Sequence, residues 1–311
     1  MFLSNMALAA QQVLILYVIV AVGFVADRLG VFVQTTAKLS NNLLFYVVTP
    51  SVIIQSFLTM DFSPDSARAL LTAFICAVGT STLGVLLSLP FFNKCADKAP
   101  IFKYAVAYGN MGYMALPLAN AVLGAEGVFY CSAGVIAFNI FSFTHGVWLM
   151  NQGGAEKVKF KLRTLILNPG VISVIIGLPM FIFSVKLPAV VRTPLDYIAS
   201  LNTPLAMLFF GTYIANTDFK SMFKDRENYL SALLKLIVMP LVMLGVFKLC
   251  GIGGTLLTAC IISASAPSAN NTVMFSAKYG KDTGTASKAV AFVSAVSIVT
   301  MPFMIALSKS V

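Results

Sequence analysis

Ten apolar runs dominate this chain, near 8–26, 39–58, 67–90, 102–123, 128–149, 167–186, 195–215, 229–249, 254–277 and 285–307. Each has about the 17 to 25 residues that a helix needs to cross the hydrocarbon of a bilayer. The chain therefore reads as an all-α polytopic membrane protein. Ten such spans occupy about 200 positions at about 20 residues each, and a chain of 311 residues has only short connections left over. With 59% apolar and 10% charged residues there is no room for a second, soluble domain, so the net charge of +10 belongs to loops and not to a nucleic-acid-binding face. Met1 to Gln12 hold no Lys or Arg, unlike the basic start of a signal or transit sequence, so the first run is read as a retained helix.

Basic residues accumulate in short cytoplasmic loops. One set of alternate loops holds Arg28 and Lys38; Lys94, Lys98 and Lys103; Lys157, Lys159, Lys161 and Arg163; Lys220, Lys224 and Arg226; and Lys278, Lys281 and Lys288. The other set holds only Arg68, Lys186, Arg192, Lys248 and Lys309. Every loop obeys the alternation with ten spans and both termini outside. The most polar stretch, 151–164, is a basic cytoplasmic linker between a first five-helix unit, 1–150, and a second, 165–311. An odd number of spans per unit makes the second enter from the opposite side, which is an inverted repeat if the units match. Thr49-Pro50 in the second run recurs as Thr203-Pro204 in the seventh, preceded by Asn42 and Asn202 at different spacings.

The fourth and ninth runs are interrupted by helix breakers amid small and polar residues, from Tyr108 through Gly109, Asn110 and Gly112 to Pro117, and from Ser263 through Pro267 to Thr272. A proline inside a helix leaves backbone groups that hydrocarbon cannot satisfy. Ser263, Ser265, Ser268, Asn270, Asn271 and Thr272 offer more hydrogen-bonding capacity than one kink requires. Interrupted segments at matching places in two halves point to a binding site near the bilayer midplane.

All eleven Asp and Glu residues fall in or beside loops, which argues against a carboxylate-driven cation exchanger and suits an anionic ligand. Lys235 is the clear intramembrane charge, about 13 Å deeper than Arg226 along a helix. It either contacts the ligand or a helix C-terminus at the crossing, or snorkels to the cytoplasmic interface. His145, the single histidine, lies near Trp148 and reads as an interfacial imidazole, with proton coupling as the alternative. No second histidine or nearby carboxylate supports a hydrolytic or metal centre, so neither an enzyme nor a cofactor nor a metal is expected. The five cysteines are scattered and read as small hydrophobes.

The chain resembles the auxin efflux carrier family, whose compact prokaryotic members are called malate or malonate permeases. Asn168-Pro-Gly, Thr203-Pro-Leu-Ala-Met-Leu-Phe-Phe-Gly211 and Lys235-Leu-Ile-Val-Met-Pro240 carry the resemblance, with Gly109-Asn110 and Pro117, and Ala266-Pro267 through Lys278-Tyr279. It implies two inverted five-helix repeats whose fourth and ninth helices unwind and cross, an architecture like that of bile acid carriers. It further implies a scaffold of spans 1, 2, 6 and 7, often dimeric, and a moving unit of spans 3 to 5 and 8 to 10 that works as an elevator. Plant members place a proline before the crossing asparagine of the fourth span; here Gly109 stands in that place. They also carry a long central loop, absent here, so that a prokaryotic inner-membrane protein is implied.

The resulting expectation is a secondary transporter of small organic anions, mono- or dicarboxylates, in the lipid bilayer. Its ligand would be held by Gly109, Asn110, Pro267, Ser268, Asn270, Asn271 and Thr272, with Lys235 adding positive potential. Export of a monoanion would be favoured by about 2.3 kcal/mol per 100 mV, and import of a dicarboxylate would need a coupled ion. The alternatives are a sodium-coupled symporter, with cation ligands from Asn, Ser, Thr and backbone oxygens, and a membrane sensor that binds without transporting.

Overall fold

A computed structural model describes residues 2–93, 95, 97–152, 166–216 and 219–311. Helices account for most of them, and no strand is present among the described residues. The helices are α1 (Phe2–Arg28), α2 (Gln34–Thr59), α3 (Pro64–Ser88), α4 (Ala99–Ala107), α5 (Met111–Met150), α6 (Pro169–Ile182), α7 (Ala189–Ala215), α8 (Arg226–Leu249), α9 (Gly254–Ser265), α10 (Asn271–Lys278) and α11 (Thr283–Ser310). A single turn, Phe219–Met222, precedes α8. The 151–164 linker lies outside the described residues except for Asn151 and Gln152.

Seven of these helices, α1, α2, α3, α5, α7, α8 and α11, are long and apolar enough to cross a membrane, and α6 and α9 are shorter apolar helices. The difference from ten runs has a backbone cause. At 40 residues, α5 would measure about 60 Å at 1.5 Å per residue, twice the hydrocarbon thickness of about 30 Å. Gly124, at φ 67° and ψ −155°, breaks it. Such a φ is open to glycine and costly for other residues. The segment before Gly124 belongs with α4 to the fourth run, and the segment after it is the fifth. The ninth run is likewise divided, into α9 and α10.

Prolines are accommodated inside three helices by a widened turn. Leu44–Val48, Met111–Ala115 and Leu234–Val238 are π-helical, and each is followed two residues later by Pro50, Pro117 or Pro240. The residue before each proline, Thr49, Leu116 or Met239, donates its N–H five residues back, to Leu44, Met111 or Leu234. The proline has no N–H and its ring crowds the carbonyl four residues back; one wide turn absorbs both effects without ending the helix.

Small residues bring helices together where side chains would hold them apart. A Cβ built on Gly211 of α7 would lie 2.1 Å from the Val20 carbonyl oxygen of α1, and one on Gly23 of α1 would lie 2.4 Å from the Leu208 carbonyl oxygen of α7. On the other pair, Gly177 of α6 receives the Phe57 ring of α2, which packs edge-on to Phe129 and Phe181. Thr49 of the first Thr-Pro pair reaches the residue before the second: its hydroxyl donates to Asn202 Oδ1 at 3.3 Å, deep in the bundle.

Candidate functional site

Both interruptions expected from the sequence are present, and they lie against each other. Helix α4 ends at Ala107, Tyr108 is extended, and α5 starts after Asn110. Helix α9 ends at Ser265, and Ala266 is extended at φ −58° and ψ 133°, as a residue before proline prefers. Gly109 pairs with Ser268 as a short antiparallel bridge. Asn110 N donates to Pro267 O at 2.6 Å, and Ala269 N donates to Tyr108 O at 3.0 Å. Each break thus supplies the hydrogen-bond partners that the other has lost, which answers the demand of a dry interior.

The break in the first half falls at Gly109, not at Pro117, which the preceding wide turn absorbs. The close approach explains the glycine. A Cβ there would lie 3.0 Å from Lys235 Nζ, 3.1 Å from the Ala266 carbonyl oxygen and 3.3 Å from the Ala266 Cβ.

Four helix ends converge at the crossing. The carboxyl ends of α4 and α9 carry partial negative charge and the amino ends of α5 and α10 partial positive charge, each about half a unit. Asn110 caps α5, its side-chain oxygen accepting from Tyr113 N at 3.2 Å. The buried Asn270 Oδ1 has no hydrogen-bond partner among the described residues, and Asn271 opens α10 beside it. The hydroxyls of Ser268 and Thr272 are spoken for: Ser268 donates to Ala105 O and Thr272 to Ala269 O, both at 2.7 Å. The three asparagine amides are therefore the side-chain donors and acceptors with capacity to spare.

Lys235 does not snorkel. It is 1% exposed, sits in the π-turn of α8, and reaches the crossing beside Gly109. With Gly109 and Tyr108 it lines a cavity of about 30 Å³, whose other polar walls are Thr80 and Ser81 of α3 and Ser263 of α9. That space holds about two waters and no organic acid. Asn110, Ser268, Asn270, Asn271 and Thr272 do not line it, so the candidate residues gather around one crossing but divide between its two sides.

Sequence reasoning passed over Thr80 and Ser81, although Gly-Thr-Ser-Thr inside an otherwise apolar run was a usable signal. His145 also touches the crossing. Its Nδ1 lies 2.7 Å from the Tyr108 hydroxyl, which has Phe141 O as a further neighbour at 3.1 Å. The five cysteines are free thiols.

Residues 8–305 match the profile of a family described as membrane transport protein. An uncharacterized transporter of Methanocaldococcus jannaschii is 25% identical over 282 residues, 87% of this chain and 89% of the relative. An uncharacterized transporter of Methanothermobacter thermautotrophicus is 24% identical over 306 residues, 94% and 96% of the two chains. A protein of Rhizobium meliloti named "putative malonate transporter" is 22% identical over 281 residues, 87% and 86% of the two chains. These relatives are transporters, not enzymes. With nearly its whole length matched and its helices apolar enough to span a bilayer, the chain belongs to this membrane transport family, that of the auxin efflux carriers.

Proposed function

We propose that the protein is a secondary transporter of small organic anions, with dicarboxylates such as malonate as the first candidates, and that it works by elevator-type alternating access. The observation that carries the reading is the crossing itself: four helix ends and three asparagine amides meet there, with no carboxylate from the described residues among them. Carboxylate oxygens would be held by the amides of Asn110, Asn270 and Asn271 and by N–H groups at the starts of α5 and α10. The Rhizobium meliloti relative named "putative malonate transporter" agrees with that chemistry.

The repeat reading gives ten spans, with α4 plus the start of α5 as the fourth and α9 plus α10 as the ninth. Exchanging spans 1 and 6, and 2 and 7, turns the α1–α7 glycine contact into the α2–α6 contact at Gly177. The same exchange maps the reciprocal bonds of the crossing onto themselves. Spans 1, 2, 6 and 7 would be the scaffold, through which a homodimer could form in a prokaryotic inner membrane with both termini outside. The crossing is too tight for an organic acid in this conformation, so loading requires the helices to separate, as alternating access demands.

The test is flux of labelled malonate, succinate and pyruvate in liposomes containing the purified protein. Uptake above empty liposomes by at least one of them, saturable and unchanged when choline replaces sodium, is the expected result. Flux that needs sodium would support the symporter instead, and thermal stabilisation by a carboxylate without flux would support a sensor.

A further inference from the structure

Among the described residues Lys235 is the one charged side chain that is buried, and no hydrogen bond or ion pair among those residues involves it. The hydroxyls around its cavity give their protons elsewhere, Thr80 to Cys76 O at 2.8 Å, Ser81 to Ala77 O at 2.9 Å and Ser263 to Cys131 Sγ at 3.4 Å. The carboxylates on the surrounding helices are remote from it by position: Asp65 pairs with Arg68 at the exposed start of α3, Glu126 meets Tyr130 near the Gly124 break, and Glu227 meets Cys95 at the start of α8. A buried charge without a counter-ion costs several kcal/mol. The carboxyl ends of α4 and α9 flank this one, since the Cβ position of Gly109 lies within 3.1 Å of both Lys235 Nζ and the Ala266 carbonyl oxygen. Partial charges at helix ends steady an ammonium but add no net charge to the helices that carry it.

On the transport reading above, a whole charge is then missing from this unit until an anion arrives. We propose that Lys235 is a resident counter-charge that travels with the anion: it does in the moving helices what a co-transported cation would do. The empty carrier has one positive charge more than the loaded carrier would have for each negative charge of cargo, so a monoanion crosses with no net charge at the site and a dianion with one. The membrane potential therefore acts on the return of the empty carrier through Lys235.

The experiment applies voltage steps to the protein in a planar bilayer, without substrate and in sodium-free choline buffer. The expected result is a transient charge movement in the wild-type protein, its loss in Lys235→Gln, and its retention in Lys235→Arg. Malonate exchange across liposomes, which uses only the loaded carrier, is expected to become more voltage-dependent in Lys235→Gln than in wild type. A wild-type protein that moves malonate yet shows no substrate-free charge movement overturns the proposal while leaving the transport reading intact. Charge movement that persists in Lys235→Gln overturns it as well. Charge movement lost with Lys235→Gln, together with no flux of any carboxylate, would keep the travelling charge and discard organic anions as the cargo. If Lys235→Gln does not fold, Lys235→Met takes its place as the uncharged variant, and a wild-type recording without charge movement overturns the proposal by itself.

Discussion

Gly23 and Gly211 place α1 and α7 in backbone contact: a Cβ on Gly211 would run into the Val20 carbonyl oxygen and the Gly23 carbonyl carbon, and one on Gly23 would run into the Leu208 backbone. The contact is reciprocal, and at both positions the nearest neighbour is a carbonyl oxygen, which cannot swing aside as a side-chain tip can. Alanine at either site is expected to force the helices apart, at a cost of about 1–3 kcal/mol. Thermal unfolding in detergent should show a lower midpoint for Gly211→Ala, whereas Gly245→Ala, with open space around its Cβ position, should unfold like wild type. Equal midpoints would mean that the two helices do not bear on one another this closely.

Asn110→Ala removes both the cap of α5 and an amide of the proposed anion site. Carboxylate flux in liposomes is expected to drop by roughly tenfold or more, since one lost hydrogen bond to a charged group is worth about 1.5–3 kcal/mol. Asn110→Ser, which can still cap, should keep the melting midpoint and lose flux. Wild-type flux in the alanine variant would remove Asn110 from the site.

The Tyr108 hydroxyl hydrogen-bonds both Phe141 O, to which it donates at 3.1 Å, and His145 Nδ1 at 2.7 Å, where the imidazole tautomer sets the direction. Tyr108→Phe and His145→Phe are expected to destabilise by less together than the sum of their separate effects, with a coupling of about 1 kcal/mol. Chemical denaturation of the four proteins measures it. Strict additivity would show that the contact contributes nothing.

Asp282 caps α11, its Oδ1 accepting from Gly284 N at 2.9 Å and Thr285 N at 3.2 Å and its Oδ2 from the Thr285 hydroxyl at 2.5 Å. The bond from the Thr285 side chain, followed by that from its backbone N–H, holds the carboxyl below its usual range. A depressed carboxyl stabilises the fold above its unfolded value, and that contribution is lost as pH falls through the folded one. Asp282→Ala is expected to cost about 1 kcal/mol near neutrality. Midpoints measured between pH 7 and pH 3 should converge for wild type and variant at the acid end; a gap that does not narrow would assign the effect to something other than the ionised cap.

Much of this architecture was legible because hydrocarbon tolerates few solutions. The runs announced helices, and Pro267 beside its cluster of small polar residues announced a break. Gly109-Asn110 placed the partner break, while the passage of Pro117 through a wide turn of five residues was not legible, because nothing in the local sequence distinguishes a proline that ends a helix from one that the helix absorbs. Lys235 was legible in depth but not in direction: helical rise fixes how far a residue lies from the interface, whereas the side it faces depends on the neighbouring helices. The hydroxyls of Ser268 and Thr272 counted as spare in sequence and are committed in the fold, since the carbonyls that take them up are exposed only once the two breaks have met.

The mutual stitching of the two breaks has a consequence for the resting protein. Peptide groups that satisfy one another need no hydration, and the crossing leaves space for about two waters beside Lys235. A crossing that closes on itself in this way does not depend on a column of water to stay intact between turnovers.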